Sequence, residues 1–218
     1  MAALCPGCTA ALKPLPPGLC PLCAMPLPAA TNPATLTRVD AAPHPCPRCL
    51  LEPPPWSHLA CATLYASTAK SLLLRYKFGN DWALTPVWGQ LLARVILGLP
   101  GADMLIPMPQ HPQRLRWRGA NPIHEVARQT GRLLGVPVQT KALWRTRPVC
   151  PQEGLSARQR RDNPKGSFAA QGVQGCRVVL VDDVLTTGAT LRHAGQCLLD
   201  AGASALHVAV IARTPLGH

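Results

Sequence analysis

The sequence predicts an α/β protein, a parallel sheet flanked by helices with a small metal-stabilised ribbon at its N-terminus. Three observations predict it. Residues 177–190, RVVLVDDVLTTGAT, run from a buried strand through a polar loop into a helix. A second short strand, residues 103–107, also feeds a loop and then a helix. Six of the ten cysteines stand as three CxxC pairs within the first 49 residues.

The ribbon comes first. Cys5 and Cys8, Cys20 and Cys23, and Cys46 and Cys49 each present two sulfurs on one turn. Two such knuckles close a tetrahedral Zn²⁺ site. Residues 24–45 are rich in Pro, Ala and Thr and read as a loop. A segment this poor in apolar side chains cannot fold by burial alone, so a metal supplies the missing stability. Cys5, Cys8, Cys20 and Cys23 are the expected ligands, with Cys46 and Cys49 as the substitute for one pair. A closed four-thiolate site is structural, since it keeps no open position for chemistry. The expected division is a cysteine-rich ribbon over 1–55 and an α/β domain over 56–218.

The middle of the chain supplies helices. Residues 68–76 have helical periodicity, broken at Gly79 and Asn80, and residues 82–97 form a second apolar-faced helix. Trp82 and Trp88 read as packing residues; Lys70, Arg75 and Lys77 read as solvated, or as lining a basic groove. The strand over 103–107 stops at Pro107, and Pro109 and Pro112 hold the next segment extended. Arg114, Arg116 and Arg118 follow in alternation. Residues 122–134 then form a helix with Asn121 as N-cap and Pro122 at its first position. A strand end leading through a basic loop to a helix start is an anion site. Residues 145–165 are dense in Arg; a mobile basic loop is expected over 146–154 and a short helix near 155–162, a flap able to close over a phosphorylated ligand.

The last element carries the chemistry. Val178 to Val181 suit a strand buried on both faces. Gly188 permits a tight turn, Leu191, Ala194, Cys197, Leu198 and Ala201 follow at helical spacing to a stop at Gly202, and residues 206–211 form another buried strand. Ligands in such sheets bind beyond the carboxyl ends of the strands. Backbone N–H groups entering a helix make an anion site to which Thr186, Thr187 and Thr190 add hydroxyls, while Gly188 and Ala189 allow close approach. Asp182 and Asp183 would repel a phosphate. They suit the vicinal hydroxyls of a sugar, or a hard cation such as Mg²⁺. Phosphate at one end and diol at the other describe a ribose 5-phosphate.

Composition narrows the setting. Hydrophobic residues make up 47% and aromatics 4%, so a core of Leu, Val and Ala is expected. A net charge of +12 favours polyanions, either nucleic acid or phosphorylated small molecules. There is no apolar run of 18 residues and no signal-peptide pattern at MAALCPGC, which excludes membrane insertion and leads to the expectation of a cytoplasmic protein. Thiols in that setting are metal ligands rather than disulfides.

The stretch 178–190 resembles the phosphoribosyl-pyrophosphate (PRPP) motif of type I phosphoribosyltransferases. With CPRCLLEPPPW at 46–56, RYKFGN at 75–80, IPMPQHPQRLRWRGANP at 106–122 and RTRPVCPQEGLSARQRRDNPKGSF at 145–168, the whole chain resembles the ComF/GntX (competence protein F) family. The resemblance implies a type I phosphoribosyltransferase-like sheet, PRPP bound with Mg²⁺, ribose hydroxyls on Asp182 and Asp183, and the 5-phosphate wrapped by Thr186, Thr187, Gly188, Ala189 and Thr190. Pyrophosphate would meet the basic loop at Arg114, Arg118, Gly119 and Asn121, under a flap carrying Gln152, Ser156 and Arg160. Members often have four CxxC pairs, one more than this chain, and the Gln of their RGFNQ segment is Pro122 here. The family is linked to DNA uptake in natural transformation, which implies incoming single-stranded DNA and the uptake machinery as partners. Three functions follow: a PRPP-binding protein serving DNA uptake, an active transferase on an unknown acceptor, and a non-catalytic nucleic-acid adaptor.

Overall fold

The computed structural model describes residues 4–12, 15–16, 18–27, 44–110, 120–146 and 167–214. Four parallel strands form the central sheet: β1 (His58–Leu64), β2 (Met104–Pro107), β5 (Arg177–Leu185) and β6 (Ala205–Arg213), in the spatial order β1-β6-β5-β2. A separate antiparallel pair joins β3 (Leu143–Arg145) to β4 (Phe168–Ala170). Leu105 also bridges Val138, which extends the sheet beyond β2. At the opposite end from the Asp pair, Arg177 closes the β2–β5 register by donating from Nη2 to Asp103 Oδ1 at 2.7 Å and from its backbone N–H to Oδ2 at 2.8 Å.

The continuous apolar runs are explained by burial on both faces. Alternate residues of β5 go to opposite cores. Val179 and Val181 meet Leu105, Ala209 and Ile211 beneath α3 (Ser67–Phe78), α4 (Thr85–Ile96) and α5 (Pro122–Leu134). Val178 and Leu180 meet Ile106, Val208 and Val210 beneath α6 (Ala189–Asp200), Trp56, Leu143 and Phe168. Trp88 is fully buried in the first of these cores, as its packing role required, and Trp82 packs edge-on to Tyr76.

Helix boundaries follow local chemistry. The α5 helix starts at Pro122, with Asn121 Oδ1 accepting from the Ile123 N–H at 3.3 Å, and ends at Gly135 in the left-handed region. Residues 82–84 form a 3₁₀ turn before α4 instead of its first helical turn, because Pro86 fits only near a helix start. The β5 strand runs to Leu185 rather than stopping at Val181. β6 continues to Arg213 alongside it and pairs with Asp182, Val184 and Leu185, so the two acids lie within the strand.

Gly131 tests the packing of α5. A Cβ there would lie 2.5 Å from Val138 Cγ2 and 2.6 Å from the Val136 carbonyl oxygen. Helix propensity alone would reward alanine by about 1 kcal/mol, but the clash is with backbone. Gly131→Ala is therefore expected to destabilise by about 1–3 kcal/mol, read as a lowered urea midpoint with unchanged m-value.

The N-terminal residues reach both faces of the sheet. α1 (Pro6–Ala11) packs against α3, and Leu4 and Leu12 join the core on that side. Leu22 joins the core on the other side, where Trp56 Nε1 donates to its carbonyl at 2.8 Å. Among the described residues, no helix is long and apolar enough to cross a membrane.

Candidate functional site

Asp182 and Asp183 are neighbours in a strand, so they point to opposite faces of the sheet. Asp183 lies on the α3 side, where Lys77 Nζ meets its Oδ2 at 2.7 Å. Asp182 lies on the side of β3, and its Oδ1 accepts the Asp183 N–H at 2.8 Å. Arg145, at the end of β3, donates from Nε to the Pro109 carbonyl at 3.1 Å and stacks over Phe168 at 4.6 Å. Burial of the carboxyl, followed by the charge of Asp183, pushes the Asp182 pKa up to about 7, against the opposing pull of Lys77 and Arg145. Lys77 thus serves both acids and Arg145 adds to it at Asp182, yet burial and mutual repulsion win, and the pair holds a proton more readily than two exposed aspartates would.

Directly downstream, Thr186 and Thr187 are exposed and Gly188 is buried at the N-cap of α6 with φ +80°. A Cβ on Gly188 would meet Leu185 and Trp56, and few other residues tolerate that φ. Thr187 Oγ1 accepts from the Ala189 N–H at 3.4 Å. Thr190 lies in the first helical turn. The acids, the hydroxyls and the helix start thus converge at the carboxyl end of β5.

Asn121 stands on the next wall. It is buried, and its Nδ2 donates to the Met108 carbonyl at 3.1 Å. Its amide ties the exit of β2 to the start of α5 and so fixes both ends of the basic loop. The other residues assigned to that loop, Arg114, Arg118 and Gly119, and the flap residues Gln152, Ser156 and Arg160, lie outside the described residues.

The cysteines assemble differently from the first expectation. The four sulfurs of Cys20, Cys23, Cys46 and Cys49 lie within 4.8 Å of one another. Cys23 Sγ and Cys46 Sγ are 3.6 Å apart, and the Cys46 N–H donates to Cys20 Sγ at 3.3 Å. Four thiolates around one zinc stand about 3.8 Å apart, as tetrahedral geometry with the usual Zn–S bond requires, so these four cysteines could hold a metal ion. The third pair has taken the place reserved for it as a substitute, and the pair it displaces is the first. Cys5 and Cys8 form their own turn, with the Cys8 N–H donating to Cys5 Sγ at 3.4 Å, on the α1 segment that packs against α3. The physical reason is the sheet itself: α1 is anchored on one face, and Leu22 carries the second knuckle to the other.

Three cations were not assigned from sequence. Lys77 read as solvated, or as lining a basic groove, and is mostly covered and paired with Asp183. A helical signal existed, since Lys77 follows the fully buried Leu73 by one turn and shares its face. Arg145 sat inside an Arg-dense stretch with nothing to distinguish it. Arg213 ends a buried strand, apolar except for His207, and is itself buried; Nη1 donates to the carbonyls of Leu185 at 2.9 Å and of Thr186, and Nε to the Cys23 carbonyl at 2.9 Å.

Comparison with known proteins follows the same lines. Residues 128–217 match the phosphoribosyl transferase domain family. The chain is 35% identical to DNA utilization protein YhgH of Escherichia coli (strain K12), over 91% of this chain and 98% of that protein. The chain belongs to the ComF/GntX family. Within that family it is 31% identical to competence protein F of Haemophilus influenzae over 77% of this chain and 78% of that protein. It is 26% identical to competence protein ComFC of Streptococcus pneumoniae over 67% and 64%. Its fold is accordingly that of a type I phosphoribosyltransferase, a parallel sheet with flanking helices beside a cysteine cluster.

Proposed function

We propose that this protein binds PRPP with Mg²⁺ at the carboxyl end of β5 and handles incoming single-stranded DNA during its uptake. The observation that carries the reading is the convergence of Asp182 and Asp183 with the Thr186–Thr190 loop beside Lys77 and Arg145. Ribose hydroxyls donate to the two carboxylates, and the 5-phosphate takes the N–H groups and hydroxyls of Thr186, Thr187, Gly188, Ala189 and Thr190. Mg²⁺ enters with the ligand and offsets the charge of its pyrophosphate. Arg114, Arg118, Gly119 and Asn121 are the residues assigned to that pyrophosphate, and Gln152, Ser156 and Arg160 are those assigned to a flap over it. Zn²⁺ is the metal assigned to Cys20, Cys23, Cys46 and Cys49, in a ribbon over 1–55 that precedes the domain over 56–218. The cytoplasm is the assigned compartment, in keeping with reduced CxxC pairs. The printed names of the relatives and the charge of +12 support the DNA role.

The test is a calorimetric titration of Mg²⁺ and PRPP into zinc-loaded protein, paired with fluorescence anisotropy of a labelled single strand across a salt series. Saturable heat and an affinity for the strand that falls linearly on a log–log plot against salt are expected. Pyrophosphate release dependent on one added base would extend the reading to a transferase. Strand binding without any heat from PRPP would replace it by that of an adaptor.

A further inference from the structure

The second knuckle, the third knuckle and the phosphate loop enclose a narrow cavity lined by Cys23, Arg48, Thr186, Thr187, Arg192 and Arg213, among others. Three arginines stand among its lining residues beside Leu22, Met25, Trp56 and Leu185, and no acid does. Two of the three are committed to the framework. Arg192 donates to the Pro53 and Glu52 carbonyls at 2.9 and 2.8 Å and lies over the Trp56 ring. Arg213 is spent on the carbonyls of Leu185, Thr186 and Cys23. Arg48 differs from both. It sits between the two cysteines of the third knuckle, is exposed, and its guanidinium has no hydrogen bond or ion pair among the described residues. A free guanidinium on the rim of a cavity that two fixed ones also line, with no acid among them, is an arrangement completed by an anion with several acceptor oxygens.

We propose that Arg48 is a phosphate-binding residue, which grips from the knuckle side the anion held by Thr186, Thr187 and Gly188. This rests on the reading of that loop as a phosphate site. It gives the cysteine cluster a second task. The four thiols fix the Cys46–Cys49 turn, the turn fixes Arg48, and Arg213 joins the Cys23 carbonyl to the loop, so the ribbon becomes one wall of the ligand site. The ligand class is a phosphate monoester, whether the 5-phosphate of a sugar or a terminal phosphate of a nucleic acid.

Phenylglyoxal modification of the zinc-loaded full-length protein, followed by mass spectrometry of each arginine, tests the assignment without any need for turnover. The probe is inorganic phosphate, and exposed Arg94 on α4 is the internal reference. Phosphate at ten times its Kd is expected to slow modification of Arg48 roughly tenfold and to leave Arg94 unchanged. In parallel, Arg48→Ala is expected to raise the Kd for phosphate by about tenfold or more with zinc content unchanged. If PRPP binds yet Arg48 reacts at the same rate with and without phosphate, the assignment is overturned and the PRPP reading stands. If phosphate protects Arg48 and PRPP produces no heat, Arg48 is a phosphate ligand and the PRPP reading falls. A terminally phosphorylated single strand that protects Arg48, where its unphosphorylated counterpart does not, identifies nucleic acid as the source of the phosphate. Protection of Arg48 and Arg94 alike reduces the effect to surface charge and overturns the assignment.

Discussion

Asp182→Asn/Asp183→Asn is expected to weaken binding of PRPP with Mg²⁺ by about 100-fold or more, because two charge-assisted hydrogen-bond acceptors are lost together. The fold should survive. The amide introduced by Asp182→Asn keeps an oxygen to accept the residue-183 N–H that Asp182 Oδ1 now accepts at 2.8 Å. The two positions act on stability in opposite directions. Asp182 has its pKa raised to about 7 by burial and by Asp183, against about 3.9 in an unfolded chain. A folded state that holds its proton more tightly than the unfolded one is most stabilised at low pH, and that stabilisation is lost as pH rises through about 7. At pH 8 the wild type carries a half-buried, ionised carboxylate that Asp182→Asn removes, so that single variant should melt at or above the wild-type temperature. At pH 4 the two should melt alike. Asp183→Asn instead strands Lys77, which is mostly covered and has Asp183 Oδ2 at 2.7 Å, so its midpoint should fall. Calorimetry of the ligand with melts of both single variants at pH 4 and 8 checks the whole set. Retained PRPP affinity in the double variant would remove the carboxylates from the ligand site. The same titration predicts a pH dependence in the wild type: if the ribose needs Asp182 ionised, affinity drops about tenfold per pH unit below about 7, and Asp182→Asn should lack that slope.

Much of this site was legible because its signals are local. An apolar run, two acids, a threonine-glycine loop and a helical period are all read within fifteen or so residues of sequence, where chain geometry alone fixes who neighbours whom. The α5 helix was read over Pro122–Leu134 for the same reason: Asn121 and Pro122 punctuate its start. What escaped depends on the tertiary fold. Lys77 and Asp183 are distant in sequence and meet only because α3 lies across the face to which Val179, Val181 and Asp183 point. Arg213 reaches the second knuckle because β6 carries it beyond the apolar run to the carboxyl end of the sheet, where its Nε donates to the Cys23 carbonyl. CxxC spacing identifies knuckles but does not say which of them meet, since that depends on which face of the sheet each is anchored to.

Cys49→Ser should lose the bound metal entirely, whereas Cys5→Ser/Cys8→Ser should keep one metal ion per chain. The difference follows from geometry: Cys49 is one of four sulfurs within 4.8 Å, and Cys5 and Cys8 are not among them. The stability effect should be as unequal as the metal content. Around the cluster, among the described residues, Cys20, Cys46 and Cys49 are buried with only Leu22, Cys23, Met25 and Leu27 packed against them, too little apolar surface to order the ribbon without a metal. Removal of one ligand is therefore expected to cost about 3 kcal/mol or more of ribbon stability, seen as early hydrogen exchange over 18–27 and 44–52 and as a lowered melting temperature. Chelation of the wild type should reproduce both. The damage should then spread along a defined route. Arg213 loses its fixed partner at the Cys23 carbonyl and Trp56 loses the Leu22 carbonyl, and both of these side chains support the loop at Thr186 and Gly188. The Cys49→Ser protein should consequently bind phosphate less tightly than the wild type even though it carries every residue of the loop. The outcome that sinks this account is metal retained by Cys49→Ser and lost from Cys5→Ser/Cys8→Ser, which would restore the first and second knuckles as the ligand set and leave the ribbon without a mechanical link to the phosphate site.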